Sequence, residues 1–230
     1  NFTGTCSENG ELVVVLVGGI SPLIQPTCSS LTWAVAGLDV SSLTDGNINF
    51  EADHADASGN NAIKATLSIL KDVVAPAVAT IVSPLDGAYV SSLPQTFSGA
   101  CESGASVSLA GSINPSPAIG TCSSSTYSIL VNLTAGDGVK TITVMQTDIA
   151  GNSSASGSST VVLDTVIPTV AISSAPTIND ANKSSYALNG SCSENAQIVS
   201  ISVGGISPVV QPTCSSLVWN VSGLDVSALT

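Results

Sequence analysis

The feature that most constrains this chain is an internal repeat. Residues 187–230 repeat residues 1–44 without a gap, and 28 of the 44 aligned positions are identical. A diverged copy lies between them, most clearly at Gly99–Leu109 and Ile119–Ile129. Self-similarity at a fixed period marks a structural unit that is used repeatedly. The corresponding first cysteines are 95 and 91 residues apart, so the sequence predicts a row of units, each the size of a small β-sandwich domain.

Six cysteines follow the same rhythm. The two cysteines of each copy are separated by 22, 21 and 22 residues in turn. An even number at regular spacing predicts local disulfides, and the expected pairs are Cys6–Cys28, Cys101–Cys122 and Cys192–Cys214. Six buried free thiols are the alternative. No cysteine lies in a C-x-x-C pair or at zinc-ligand spacing from a histidine, so bridges are favoured, and bridges indicate an oxidising compartment.

Composition indicates an all-β fold. Serine, threonine, valine, alanine and glycine dominate, whereas 9% of the residues are charged and 3% are aromatic. β-Branched residues suit a pleated sheet and glycines suit tight turns. The fullest copy contains about seven short strand-like segments separated by turn signals, which is typical of a β-sandwich. We therefore expect sandwich domains and no helices of useful length.

Two proline-marked linkers divide the chain into domains. They lie at Lys71–Val78 and Leu163–Val170, and they predict domains at residues 1–75, 76–167 and 168–230. By alignment, the first domain lacks its opening strand and the third lacks its last strands. We interpret the sequence as a window onto a longer chain. Disordered ends, or open edges that pair with another molecule, are the alternatives.

The order of several short motifs resembles a known class of protein. The motifs are GTCSENG, a strand with a tryptophan, LDVSSLTDG, HADASGNNA and KDVVAP, at Gly4–Gly10, Trp33, Leu38–Gly46, His54–Ala62 and Lys71–Pro76. Together with the repeat, they resemble the bacterial immunoglobulin-like repeats of giant surface proteins and adhesins. The resemblance implies tandem immunoglobulin-like β-sandwich domains in an extracellular stalk, filament or adhesin. One departure is that antibody domains bridge strands B and F, whereas the short spacing here places each bridge early in its domain.

The charge pattern excludes two classes of partner. The formal net charge is -12, and lysine and arginine together number four. Nucleic-acid binding requires clustered basic residues, and so does a polybasic module at a membrane surface. The longest apolar stretch, near Val73–Val82, is interrupted by Pro76 and is too short to span a bilayer. We expect this segment to bind no nucleic acid and to insert into no membrane.

Catalysis is not expected. His54 is the only histidine, and hence the only imidazole base available to a hydrolytic triad. Asp53 and Asp56 are near it in sequence, but adjacent residues of a strand point to opposite faces. The middle copy has Gln146 at the aligned position. The other acidic residues cluster at turns and linkers rather than in one cleft, so paired-carboxylate chemistry is not expected either.

Calcium is the one cofactor that the acidic residues suggest. Repeats of the class resembled here often place aspartates at domain junctions, where a hard cation with oxygen ligands stiffens the chain. The matching residues are Asp56, Asp72, Asp148 and Asp164, and Asp86 and Asp180 follow in the next domains. The alternative is that an aspartate in a D-x-x-G-N turn caps its own backbone. Lysine–asparagine isopeptide bonds and asparagine-linked glycans also stay open.

The first copy carries one unusually apolar strand. In the third copy Val199–Val203 alternates apolar residues with serine, which is typical of a half-buried strand. The aligned strand of the first copy reads VVVLV, with Val14 and Leu16 in place of the two serines. A strand that is apolar on both faces is usually covered on both. We expect Val14 and Leu16 to contact a neighbouring subunit, and a locally apolar monomer surface is the alternative.

Two functions fit these features. In the first, the domains are spacers or the body of a filament, stalk or sheath, and they contact neighbouring copies. In the second, a domain binds a glycan or protein on another cell. Trp33 and Trp219 occupy matched positions of matched copies, which favours core packing over an exposed binding site. We therefore expect a structural role, with adhesion as the alternative.

Overall fold

The computed structural model describes residues 1–20, 24–204 and 210–229. All regular elements in these ranges are β-strands. We call residues 1–75, 76–164 and 165–229 the first, middle and last segments. The first segment contains β1 (Phe2–Thr5), β2 (Val13–Val17), β3 (Thr32–Val35), β4 (Gly46–His54) and β5 (Ala65–Lys71). The middle segment contains β6 (Ala88–Val90), β7 (Gln95–Ala100), β8 (Ser106–Gly111), β9 (Ile113–Asn114), β10 (Ala118–Thr121), β11 (Thr126–Leu133), β12 (Gly138–Thr147) and β13 (Gly157–Leu163). The last segment contains β14 (Val170–Ser174), β15 (Tyr186–Cys192) and β16 (Val218–Leu224).

The middle segment shows why this sequence folds as a sandwich. Every second side chain of β11 and β12 is buried, which is the period of a strand with one covered face. One sheet has the order β10-β8-β12-β13-β6 and the other has the order β7-β11-β9. Side chains from both sheets, including Phe97, Leu109 and Ile142, form one fully buried core. The predicted all-β sandwich fold is confirmed.

The first segment has two smaller sheets, β2-β4-β5 and β1-β3. The residues predicted to face inward from β2, namely Val13, Val15 and Val17, are each 1% exposed. They pack in one cluster with Trp33 from the other sheet. The two sheets therefore share a core, and Trp33 is part of it.

The last segment is a single sheet, β14-β15-β16, around a fully buried Trp219. The strand predicted at Val199–Val203 is not formed, because this stretch makes only isolated bridges, one of them between Ile201 and Val210. In the first segment the aligned strand β2 is paired along its length with β4. The described residues of the last segment contain no counterpart of β4. An apolar alternation alone does not make a strand without a neighbour that completes the hydrogen-bond ladder.

By compactness, the chain divides into two units, Asn1–Asp164 and Thr165–Thr230. The buried hydrophobic residues form three clusters, one in each segment. The expected domain bounds at residues 75 and 167 stay predictions. Over the described residues, no helix has the length and hydropathy needed to cross a membrane.

Candidate functional site

Each segment is closed by one disulfide bridge. The bridges join Cys6 to Cys28, Cys101 to Cys122 and Cys192 to Cys214, which are the three predicted pairs. In the first segment the bridge links the end of β1 to the turn before β3, and the loop it closes contains β2. The second cysteine of each pair is at most 2% exposed. Each bridge therefore fastens an early part of its segment to the core.

A strained turn lies beside the first bridge. Ser30 and Leu31 have positive φ angles of 54° and 59°, in the left-handed region that residues other than glycine seldom adopt. Two successive positive φ angles are the mark of the type I′ hairpin turn. The Oδ1 atom of Asn9 accepts a hydrogen bond of 2.8 Å from the Leu31 N–H. This side chain therefore holds the turn in its strained conformation.

The other two segments repeat this arrangement. Asn195 Oδ1 accepts a 2.8 Å hydrogen bond from the Leu217 N–H, and Ser103 Oγ accepts one of 2.8 Å from the Ser125 N–H. None of these side chains was predicted from the sequence to hold a turn. A signal was present in the CSEN motif, whose asparagine recurs in two copies. The turn that it caps lies 22 residues away, so local reading could not find it.

A glycine faces an aromatic ring across neighbouring strands in every segment. The pairs are Gly4 with Trp33, Gly99 with Tyr127, and Gly190 with Trp219. A Cβ atom added at Gly4 would lie 2.6 Å from the Trp33 ring, and one at Gly190 would lie 2.4 Å from Trp219. The absence of a side chain therefore lets each indole lie directly over the adjacent strand.

In two segments the ring also holds the opening stretch of the segment, which is irregular around Thr80 in the middle segment and is β14 in the last one. The Tyr127 hydroxyl donates a 2.8 Å hydrogen bond to the Thr80 carbonyl oxygen, and the Trp219 Nε1–H donates one of 3.2 Å to Ala171. A Cβ atom at Gly99 would lie 1.8 Å from the same Thr80 oxygen. The glycine lets the opening stretch of the segment pass close to the sheet, and the ring donates a hydrogen bond to a backbone carbonyl group of that stretch.

Asp56 and Asp148 cap their own turns. The Asp148 carboxylate accepts hydrogen bonds from the backbone N–H and the Nδ2 of Asn152, at 2.8 Å and 2.9 Å. Asp56 accepts the same two bonds from Asn60, at 2.8 Å and 2.7 Å. The asparagine side-chain hydrogen bond is the main cause that holds the pKa of each aspartate below its usual value, because it favours the charged form.

The linker between the first and middle segments is held from both sides. On one side, the Val73 N–H donates to Asp45 Oδ2 at 3.3 Å. On the other, Asn152 Nδ2 donates to the Asp72 carbonyl oxygen at 3.2 Å and Gln146 Nε2 donates to the Ala77 carbonyl oxygen at 2.6 Å. These bonds hold the linker at Asp72, Val73 and Ala77, and the bond from Asn152 couples it to a hairpin tip of the middle segment.

The aspartates predicted to bind calcium are only partly brought together. Asn152 places Asp72 beside the turn of Asp148, whereas the Asp164 N–H pairs with the Val90 carbonyl oxygen at 3.0 Å. The structure, over its described residues, holds no group of three or more His, Cys, Asp or Glu side chains suited to a metal ion. Calcium binding stays a prediction.

The two further acidic residues have local partners. Asp86 accepts hydrogen bonds from the backbone N–H and hydroxyl of Thr160, at 2.7 Å and 2.8 Å. Asp180 forms an exposed ion pair with Lys183, at 2.5 Å. Both contacts stay within one segment, so each contributes to local structure.

Val14 and Leu16 lie on the outer face of β2, where both are half-buried. Their partners on β4 are charged, since Val14 pairs with Asp53 and Leu16 pairs with Glu51. Lys64 forms a 2.9 Å ion pair with Glu51 and lines the same shallow groove. The surface is therefore a mixture of apolar and charged groups, and the predicted contact with a neighbouring subunit stays a prediction.

His54 lies outside any recognisable catalytic arrangement of the described residues. Its Nδ1 atom is 3.2 Å from the Leu12 carbonyl oxygen, and its Nε2 atom is buried without a partner. The Asp53 carboxylate accepts a 2.9 Å bond from the His54 backbone N–H, not from the ring. An activated nucleophile needs a base within hydrogen-bond reach, and among the described residues no hydroxyl or thiol contacts this imidazole.

Comparison with known proteins gives matches among solved structures. No family model and no curated protein matches the chain, whereas 25 chains of solved structures match it. One is a structure of the fibronectin(III)-like modules of CbhA from Clostridium thermocellum, with 17% identity and a TM-score of 0.40, which covers 70% of this chain and 82% of that one.

Two other matches are more distant. The BSP domain of a biofilm associated protein has 16% identity and a TM-score of 0.29, over 72% of this chain and 28% of that one. SGBP-B of the Bacteroides ovatus mixed-linkage glucan utilization locus, in complex with a mixed-linkage heptasaccharide, has 13% identity and a TM-score of 0.24, over 93% and 52% of the two chains.

Proposed function

We propose that this chain is a structural segment of a long extracellular filament, stalk or sheath, built from tandem immunoglobulin-like domains at a bacterial cell surface. The observation that carries the proposal is the linker held from both sides. Asp45 and Asn152 bind its first half, at Val73 and Asp72, whereas Gln146 binds its second half at Ala77. Interdomain linkers that move freely have few such contacts, so this junction suits a chain that sets length and stiffness.

The repetition of one closed unit supports the same role. Each segment has a local disulfide, a glycine–aromatic pair and a capped type I′ turn. In a repeat array, stability is roughly the sum of the units and their nearest-neighbour contacts. Each segment has its own core and its own bridge, so a long chain can be extended by adding units of the same kind.

The proposed role is non-catalytic and extracellular. The three disulfides indicate an oxidising compartment, where such bridges form and persist. The single histidine contacts a backbone carbonyl, and the turn aspartates are occupied by their own backbone. These contacts support a structural role for the chain, and the hydrogen bonds of the aspartates hold their turns in one conformation.

Calcium is part of the proposal at one junction. A cation bound by oxygen atoms near Asp72 and Asp148 would add to the hydrogen bonds that Asn152 already makes there. Small-angle scattering with calcium and with a chelator tests this. We expect the chain to be more flexible after chelation, and identical profiles would remove calcium from the account.

Neighbouring copies are proposed to associate through Val14 and Leu16. Replacing both with serine, the residue found at the aligned positions Ser200 and Ser202, should leave the domain folded because both side chains lie on the outer face of β2 and are only partly buried. Lateral assembly should weaken. The matched control replaces two exposed residues of the middle segment, Val139→Ser and Ile149→Ser, 68% and 83% exposed. Equal assembly of the Val14/Leu16 variant and the parent would contradict this contact.

Gold-labelled antibodies against the chain, imaged on intact cells, test the function as a whole. A structural segment should be labelled at intervals along the full length of a surface filament, stalk or sheath. Label restricted to the tips would instead support the alternative, an adhesin segment that binds a glycan or protein on another cell. Label inside the cytosol would contradict both.

A further inference from the structure

Asn9 is followed by glycine, which makes it the kind of asparagine most prone to lose its side-chain amide. The chain contains two such pairs, Asn9–Gly10 and Asn189–Gly190. In each pair the glycine nitrogen can attack the asparagine Cγ atom, because glycine has no Cβ atom in the way and its backbone adopts many conformations. Asn9 and Gly10 are exposed, whereas Asn189 and Gly190 lie within β15, which is paired with a strand on each side. Exposure alone would therefore make Asn9 the reactive one.

Both reacting groups of the Asn9–Gly10 pair are held in hydrogen bonds. The Gly10 N–H, which carries the attacking nitrogen, donates a 2.9 Å bond to the carbonyl oxygen of Cys28. The Asn9 Oδ1 atom accepts the 2.8 Å bond from the Leu31 N–H. The nitrogen must lose its proton in order to attack, and a proton that is held in a hydrogen bond is lost less readily. The folded chain therefore protects an asparagine that is exposed to water.

The two protecting bonds depend on the first disulfide bridge. Cys28, whose carbonyl oxygen accepts the Gly10 N–H, is itself bonded to Cys6. Leu31 lies in the strained turn that follows Cys28, so the bridge fixes both of these partners relative to Asn9. Loss of a bridge with this loop length shifts the local folding equilibrium by about a hundredfold. Opening the bridge should therefore release both reacting groups together.

We propose that Asn9 is a deamidation site controlled by the Cys6–Cys28 bridge, a property that goes beyond the structural role proposed above. A thiol reductant opens the bridge to two thiols and is itself oxidised to a disulfide. The Gly10 nitrogen then bonds to Asn9 Cγ, the amide nitrogen leaves as ammonia, and a cyclic succinimide remains. Water opens this ring at either carbonyl carbon and gives aspartate or isoaspartate. The deamidation itself consumes only water.

Isoaspartate in place of Asn9 opposes closure of the same bridge. It routes the backbone through the former side chain, which lengthens the main chain and removes the group that accepts the Leu31 N–H. The strained turn then loses its cap. Aspartate, the other product, keeps a side-chain oxygen in the place of Oδ1 and still accepts this bond. A chain that stays reduced is thereby converted in part to a form that cannot close its first segment correctly.

The last segment supplies a matched control within the same molecule. Asn195 Oδ1 accepts the Leu217 N–H at 2.8 Å, and the Ala196 N–H donates to the carbonyl oxygen of Cys214 at 2.8 Å. Asn195 and Ala196 are exposed, as their counterparts are in the first segment. The difference is that alanine replaces glycine, and its Cβ atom obstructs the attack. Asn195 should therefore persist under conditions in which Asn9 reacts.

Mass-spectrometric peptide mapping of the full chain, incubated at neutral pH with and without a thiol reductant, tests the proposal. A thiol assay confirms that the bridges are open. Asn9 should deamidate about a hundredfold faster in the reduced chain, and Asn195 should react far more slowly than Asn9. Gly10→Ala should suppress the reaction at Asn9, and Ala196→Gly should create it at Asn195. Equal rates at Asn9 in bridged and reduced chains overturn the proposal, as do equal rates at Asn9 and Asn195.

A variant with Cys6→Ser and Cys28→Ser separates release of the first bridge from unfolding of the whole chain. It keeps the other two bridges, so Asn9 should react without reductant while Asn189, enclosed in its sheet, should not. If Asn189 reacts as fast as Asn9, general unfolding controls the site and the proposal is overturned.

Reoxidation of the reduced and deamidated parent tests the effect on closure. Chains with isoaspartate should fail to re-form the Cys6–Cys28 bridge, whereas the Asn9→Asp variant should re-form it like the unmodified chain. Complete closure of the isoaspartate chains would overturn this part of the proposal.

Discussion

The Tyr127 hydroxyl donates a 2.8 Å hydrogen bond to the carbonyl oxygen of Thr80, on a stretch 47 residues earlier in the chain. This bond ties the opening stretch of the middle segment to the face of its sheet. Tyr127 is only 3% exposed, so the bond satisfies a polar atom inside the core. The stability of the segment should therefore depend on this one hydroxyl.

Tyr127→Phe should lower the free energy of unfolding by about 1 kcal/mol, the usual net contribution of such a bond. The Thr80 carbonyl group loses its ring donor while the apolar packing is kept. Urea unfolding measures the change. Tyr89→Phe is the control. Because Tyr89 is 79% exposed, this variant should unfold like the parent. If Tyr127→Phe is as stable as Tyr89→Phe, the Tyr127 hydroxyl does not hold the stretch around Thr80.

Alkaline pH should unfold the middle segment through the same residue. Burial raises the pKa of Tyr127 to about 12, above the value of about 10 for an unfolded tyrosine. The folded state therefore keeps its proton where the unfolded state loses it, and stability falls as pH rises from about 10 to about 12. Ultraviolet titration should show a late tyrosinate that Tyr127→Phe removes. A parent whose tyrosines all ionise near pH 10 would contradict this.

Gly99→Ala should be costly for a steric reason. The new Cβ atom would lie 1.8 Å from the Thr80 carbonyl oxygen and 2.6 Å from its carbon, so the stretch around Thr80 must move away. Overpacking of this kind typically costs about 1–3 kcal/mol. Gly136→Asn is the control, because Gly136 has open space around it and a φ of 83° that asparagine tolerates. A Gly99→Ala variant as stable as the parent would show that the stretch around Thr80 does not lie close to Gly99.

Asp148→Asn should destabilise the chain at neutral pH, with a difference that disappears in acid. The hydrogen bond from the Asn152 side chain lowers the pKa of Asp148, so the folded state holds the charged form more strongly than the unfolded state. This stability is present above the unfolded pKa and is lost as pH falls through the folded value. Urea midpoints at pH 7 and at low pH measure it, with the exposed Glu8→Gln as control. A difference that persists unchanged in acid would argue against a role for the charge.

The sequence was sufficient to predict the disulfide pairs, because the cysteines recur at a regular spacing in each copy, and the all-β class, because it depends on composition. The inward face of β2, with Val13, Val15 and Val17, also followed from the alignment of the copies and is confirmed by burial. The glycine–aromatic pairs did not follow, since Gly99 and Tyr127 meet only through the register of two strands 28 positions apart in sequence.

The prediction of a strand at Val199–Val203 was wrong, again because pairing with a distant part of the chain decides the outcome. Its alternation of apolar residues and serine is as clear as that of any strand in the chain. Only isolated bridges form there, because strand formation depends on a paired neighbour as well as on side-chain pattern. The caps at Asn9 and Asn195 were missed because each one holds a turn 22 residues away.

Non-reducing peptide mapping of the protein from its native source tests the central claim most directly. The claim is that this is an extracellular chain of units, each closed by its own bridge. The account predicts three local disulfides, Cys6–Cys28, Cys101–Cys122 and Cys192–Cys214, with no pair between segments. Free thiols throughout would contradict the oxidising compartment and with it the surface role, and a bridge between two segments would contradict the closed unit.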